Sequence, residues 1–253
     1  MKKLSRITES EVISEFLKAE FYQPEYDRDR SQFENLVYEP NLGDPREDAL
    51  RRALLFRRRG HMWRELPRDT QWWEMEFKPE EAERVNVFPR AQWRAPAQGN
   101  FAALNVAEQI RKDILSPQPG PLALKIQVLA TLLQQNGPKS TVMLIGVNES
   151  DPVTLLEGNH RFIASLMLPR ELMLARLRIV CGFSPNMERC CWYKTNIPTL
   201  SHYLKNRIKY FWDREADVYR LLSQMDRQNG QARTARELAG TTESPAIKSK
   251  QAS

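Results

Sequence analysis

Thr141-Val142-Met143-Leu144-Ile145-Gly146-Val147, then Asn148-Glu149-Ser150-Asp151-Pro152, then Val153-Thr154-Leu155-Leu156-Glu157-Gly158-Asn159-His160-Arg161-Phe162-Ile163-Ala164, is the stretch whose reading decides the fold. Its first seven residues form a continuous, mostly branched apolar run of strand length, as expected of a strand covered on both faces. The polar segment after it is a turn, and Val153 to Leu156 reads as a second strand pairing back as a hairpin. At Gly158 the period changes. Phe162, Ile163, Leu166 and Met167 recur at helical spacing, and Pro169 closes the helix.

A strand, a glycine turn and a helix in that order make an anion site. The N–H groups of Asn159, His160 and Arg161 fall in the first helical turn, where they have no intrahelical acceptors and lie at the positive end of the helix dipole. Gly158 lets a phosphate approach the backbone, Arg161 adds a bidentate charged contact, and His160 can donate from a ring nitrogen. Glu157, at the strand end, can hold Mg²⁺ through an oxygen or accept a proton from a substrate hydroxyl. The plainer reading of the same residues is a structural turn in which His160 and Arg161 cap the helix or pair with Glu157.

Outward from this stretch, Trp72-Trp73-Glu74-Met75-Glu76-Phe77 alternates apolar with acidic residues and is expected to be the first strand. Val85-Asn86-Val87-Phe88 is a short extended piece, and Arg176 to Phe183 a further strand. Asn105 with Glu108 marks a helix through Leu115, broken by Ser116-Pro117-Gln118-Pro119-Gly120-Pro121. A second helix runs from Leu122 to Gln135, with Leu122, Ile126, Leu129 and Leu133 on one stripe, and ends at Asn136-Gly137-Pro138. Helices mixed with a small, partly hairpin-connected sheet predict an α+β fold, a small mixed sheet with packed helices and helical flanks on both sides. The expected organisation is a helical region at 1–70, the α+β domain at 71–183, a linker and helix at 184–226 and a disordered tail at 227–253. In the N-terminal region, Thr8 with Glu11 is a capping box that opens an amphipathic helix. Asp44-Pro45 starts a helix that Gly60 should stop. Thr199 is expected to cap the C-terminal helix.

The helix that Asp44-Pro45 starts carries Arg51, Arg52, Arg57, Arg58 and Arg59. Four of them share about a third of the circumference at 100° per residue, while Arg57 points elsewhere. This gives an alternative function, a non-enzymatic module binding nucleic acid through Arg51, Arg52 and Arg58, set against a solvated face with acidic neighbours.

The 253 residues carry 41% hydrophobic and 28% charged side chains and a net charge of +6, which favours acidic partners. No apolar run approaches a membrane span, no signal-peptide core follows Met1, and the three cysteines fit a reducing compartment, so the expectation is a cytoplasmic protein without a membrane partner. The isolated histidines His61 and His202 lack ligand-spaced partners, so no zinc-type metal site is expected. Trp72-Trp73, Trp93 and Trp192-Tyr193 read as packing groups, and Cys190-Cys191 as thiols without chemistry.

Residues Leu155 to Ala164 resemble the Gly-x-x-Arg box of the ParB/sulfiredoxin superfamily, and the order of strands and helices between Trp72 and Phe183 is similar to that fold. The resemblance implies binding of a nucleoside di- or triphosphate with Mg²⁺, with Gly158, His160 and Arg161 on phosphate-contacting positions and phosphate transfer to or from a small hydroxyl compound. Asn159 stands where sulfiredoxins carry their catalytic cysteine, and Asn159 with His160 departs from the Gly-Glu-Arg-Arg form of ParB proteins. The Glu-Gly-x-His-Arg form is nearest to the small-molecule kinases of the superfamily.

Overall fold

The computed structural model describes residues 1–89, 91–135, 139–210 and 217–227. Its centre is a six-stranded mixed sheet: β1 Lys2–Ile7, β2 Gln71–Glu76, β3 Val85–Val87, β4 Ser140–Gly146, β5 Val153–Glu157 and β6 Leu177–Phe183, in the spatial order β1-β2-β6-β4-β5-β3. β4 and β5 form the expected antiparallel hairpin. β6 lies parallel to β4 on its other side, and β3 runs parallel to β5 at the far edge. The α+β class, a small mixed sheet with packed helices, is the fold observed.

The apolar run at β4 has a simple cause. Val142 and Leu144 enter one core with the helices α4 Ala91–Ala97, α5 Ala103–Ile114, α6 Pro121–Gln134 and α7 Asn159–Ser165. Met143 and Ile145, pointing the other way, enter a second core with α1 Glu9–Glu20, α2 Asp27–Tyr38 and α3 Pro45–Trp63. A strand with helices on both faces has no solvent side, so alternation gives way to continuous hydrophobicity.

Four local expectations need correction. The region 1–70 is not wholly helical: Lys2–Ile7 is an edge strand, antiparallel to β2, so the sheet draws on residues on both sides of position 70. Within β1 only Ile7 is buried, and such a charged edge strand has no apolar alternation to reveal it. α3 does not stop at Gly60 but continues to Trp63. Met62 and Trp63 are buried, and Trp63 stacks on Trp72 with ring centroids 6.0 Å apart, packing that outweighs the weak helix propensity of one glycine. Asn105 does not begin α5; it sits inside that helix and donates to the Ala97 and Asn100 carbonyls. Finally, α8 Ile197–Tyr210 starts before Thr199. Asn196 Oδ1 accepts from the Thr199 N–H while Thr199 Oγ1 accepts from the Asn196 N–H, so Thr199 is the inner member of a reciprocal cap.

The capping box at Thr8 is present, with Thr8 Oγ1 accepting from the Glu11 N–H at 3.1 Å. Asp44 caps α3 as expected, and Pro45 is its first residue. The helix stop at 136–138 and the tail at 228–253 lie outside the described residues. Among those that are described, no helix is long and apolar enough to cross a membrane.

Candidate functional site

The hairpin β4–β5 delivers the chain to Gly158 with φ +85°. Side chains disfavour that region, and a Cβ there would also lie 2.9 Å from Val142 Cγ2, so conformation and space both demand glycine. No side chain caps α7 at this end, and its first intrahelical bond runs from the Phe162 N–H to the Gly158 carbonyl at 2.8 Å. Asn159 is buried, and its Oδ1 has no hydrogen-bond partner among the described residues. His160 packs its ring on Trp93, with centroids 5.1 Å apart. Arg161 reaches back to Glu157 at 3.6 Å, the pairing that the structural reading of the turn foresaw.

Glu157 sits in a charged cluster that joins this turn to the N-terminal helices. Burial pushes its carboxyl above the ordinary range and the negative charge of Glu20 pushes the same way, against the cations Arg161 and Arg59. Glu20 is itself held by Arg58 at 3.3 Å and Arg59 at 2.7 Å. A buried carboxyl that a second carboxylate further discourages from ionising is a place where a cation would bring relief, and Mg²⁺ commonly needs only one or two protein carboxylates besides phosphate oxygens. Glu20 was not picked out as a site residue in the sequence. Its only signal there is an acidic residue at the end of α1, 137 positions before Glu157.

Beside the turn lies an aromatic pocket of about 690 Å³, lined by Phe88, Pro89, Arg94, Phe101, Trp192 and Tyr203 among others. Its position follows from strand register. Val87 pairs with Leu155 in the parallel β3–β5 ladder, so Phe88 and Pro89 leave the sheet where β5 enters the glycine turn. From the other side, Arg94 follows the Trp93 that carries His160. Phe88 and Trp192 are 4.6 Å apart by ring centroids, and Trp192 meets Tyr203 edge-on at 5.6 Å. Trp192, which the sequence offered as packing, is therefore both packed and pocket-lining. β-strand register and the return of the C-terminal flank assemble this pocket, and neither leaves a local motif.

The arginines of α3 are engaged within the fold. Arg51 is fully buried, donating to Glu47 at 2.8 Å, to Asp48 and to the Asn41 carbonyl. Arg52 pairs with Glu9 at 3.2 Å, and Arg58 bonds Glu25 at 2.8 Å besides Glu20. Arg57 grips the buried Asp29 through two contacts of 2.7 and 2.9 Å. Apart from those of Arg51, which lie in α3 itself and just before it, the partners come from α1, α2 and the turn between them, so the acidic-neighbour reading describes what surrounds this helix.

Cys181, Cys190 and Cys191 are buried and free. Burial pushes the Cys190 thiol up to about 12 and raises the other two, so none is a thiolate near neutrality. No group of three or more metal-ligating side chains occurs among the described residues. The chain matches no family model, no curated protein and no solved structure with which it was compared.

Proposed function

We propose that this protein binds a nucleoside di- or triphosphate with Mg²⁺, and that the chemistry it supports is phosphate transfer to or from a small molecule. The observation that carries the reading is the adjacency of two unlike surfaces. A capless glycine turn with Arg161 beside it suits phosphates, and the aromatic pocket at the end of β3 suits a base and sugar. In this reading the amides after Gly158 and the Arg161 guanidinium hold phosphate oxygens, with Arg161 exchanging its long contact to Glu157 for the ligand. The buried, unpartnered Asn159 Oδ1 is an acceptor left over for a ligand hydroxyl or a bridging water. Glu157 and Glu20 are the carboxylates that would hold Mg²⁺, which when bound neutralises phosphate charge. Glu157 is also the group placed to take a proton from an attacking hydroxyl, since a carboxyl raised by burial works nearer neutral pH.

The alternative reading, nucleic-acid binding through Arg51, Arg52 and Arg58, is weaker, because each of these guanidiniums already serves a carboxylate of the fold. The test is a thermal-shift panel of ATP, ADP, CTP, GTP and pyrophosphate with Mg²⁺, on wild type and Arg161→Ala at matched ionic strength. One nucleotide is expected to raise the Tm of wild type and not of the variant. No shift from any of them at millimolar concentration would sink the nucleotide reading.

A further inference from the structure

A larger cavity, about 870 Å³, opens between the end of α3 and the start of α8, on the side of the protein held by the second core. Its lining includes Arg64, Glu65, Arg68, Asp69, Arg189 and His202. The carboxylates in it are already satisfied. Glu65, with no side-chain exposure, accepts from Asn206 Nδ2 at 2.6 Å and faces His202 Nδ1 at 3.1 Å. Asp69 accepts from Ser184 Oγ at 2.8 Å and Asn186 Nδ2 at 3.0 Å, bonds that hold its carboxyl below the ordinary range, with Arg189 adding to the effect. Glu188 pairs with Lys194 at 3.1 Å.

The cations are in the opposite condition. Arg68 and Arg189 line the cavity, and the guanidinium of neither makes a hydrogen bond or a close ion pair among the described residues, Arg189 acting on Asp69 only through longer-range charge. Beside five α3 arginines, from Arg51 to Arg59, that are engaged with carboxylates, a concave site with acceptors filled and guanidinium donors open is matched to a ligand that brings acceptors. The first turn of α8 does not supply that role, since its Thr199 amide is taken by Asn196. The volume fits a small molecule.

We infer that this cavity is a second ligand site, separate from the glycine turn, which takes a small molecule through a carboxylate or phosphate group held by Arg68 and Arg189. Glu65 and His202, the former held in place by Asn206 from behind, form the polar wall against which the rest of that molecule lies. Both arginines are exposed and their side chains make no hydrogen bond within the fold, so truncating them is expected to leave it intact.

The experiment is a melting-temperature titration of the full chain with inorganic phosphate, pyrophosphate and citrate at ~10 mM, against sodium chloride of equal ionic strength, where a Kd near 1 mM already gives a readable shift. It is run on wild type, on Arg68→Ala/Arg189→Ala and on Arg161→Ala. A shift from one probe in wild type and in Arg161→Ala, lost in the double variant, is the expected result, and the identity of that probe separates a phosphate ligand from a carboxylate one. A shift that survives in the double variant, or no shift from any probe, overturns the inference. A shift lost only in Arg161→Ala also overturns it, while supporting the nucleotide reading of the turn.

Discussion

Two arginine-bearing helices of this protein meet opposite fates. On α3, Arg51, Arg52, Arg57, Arg58 and Arg59 each contact a carboxylate, and most of those carboxylates come from α1, α2 and the turn between them, 28 to 43 positions away in the chain. On α7, Arg161 has only a 3.6 Å contact with Glu157, and its neighbour Asn159 keeps a buried oxygen without a partner. A dense run of charge thus turns out to be mostly mortar between helices, though Arg51 Nε and Arg59 Nε stay unbonded within it, and the sparse turn holds an acceptor and a guanidinium with only one long contact. Charge that the fold consumes is structural. Charge that it leaves over is what a ligand can use.

The sharpest way to break this comparison is to remove a carboxylate from the α3 network. Asp29 is wholly buried and serves both Arg57 and the Tyr219 hydroxyl at 2.8 Å. Asp29→Ala removes the buried acceptor that Arg57 and Tyr219 share and is expected to cost about 2 kcal/mol, measured by urea denaturation. The nucleotide-dependent shift in melting temperature should persist in that variant. Its disappearance would mean that the network and the turn act as one site.

Gly158→Ala tests the turn itself. The positive φ and the 2.9 Å approach to Val142 should together cost about 2 kcal/mol, and displacement of the amides should abolish the nucleotide shift. A variant of wild-type stability would show that the turn relaxes without penalty, and its role as a shaped cradle would fall.

The smallest effect is the most diagnostic for Glu157. Its folded carboxyl titrates above the ordinary value, so the folded state binds the proton more tightly than the unfolded one. Stability from this group is therefore lost as pH rises from the ordinary carboxylate range through the raised value, and the ionised form remains a burden above it. Glu157→Gln in magnesium-free buffer should be slightly more stable than wild type at neutral pH, with the gain vanishing below about pH 4, where both side chains are neutral. Equal stability at every pH would mean that Arg161 fully compensates the buried charge.

How much of this was legible beforehand depended on whether the cause was local. The β4–β5 hairpin, the turn at Gly158 and the caps at Thr8 and Asp44 could be read because each rests on neighbours within a few residues: a covered strand, a positive φ, an oxygen three positions from its amide. The strand at Lys2–Ile7 could not, because an edge strand with one buried residue takes its identity from the partner it pairs with. α3 overran Gly60 for a similar reason, since the stack of Trp63 on Trp72 lies outside any helical window.

The same division holds for the sites. The sequence by itself determined the glycine turn, its amides and the carboxylate before it, because backbone conformation and hydrogen-bonding capacity are properties of residues in order. Only the tertiary structure decided that Glu20 stands near Glu157, that Phe88 and Trp192 close a pocket beside the turn, and that Arg51, Arg52, Arg57, Arg58 and Arg59 are paired while the Arg68 and Arg189 side chains are not. Whether a charge is available depends on what lies within about 4 Å of it, and in a folded chain those neighbours come from anywhere in the sequence.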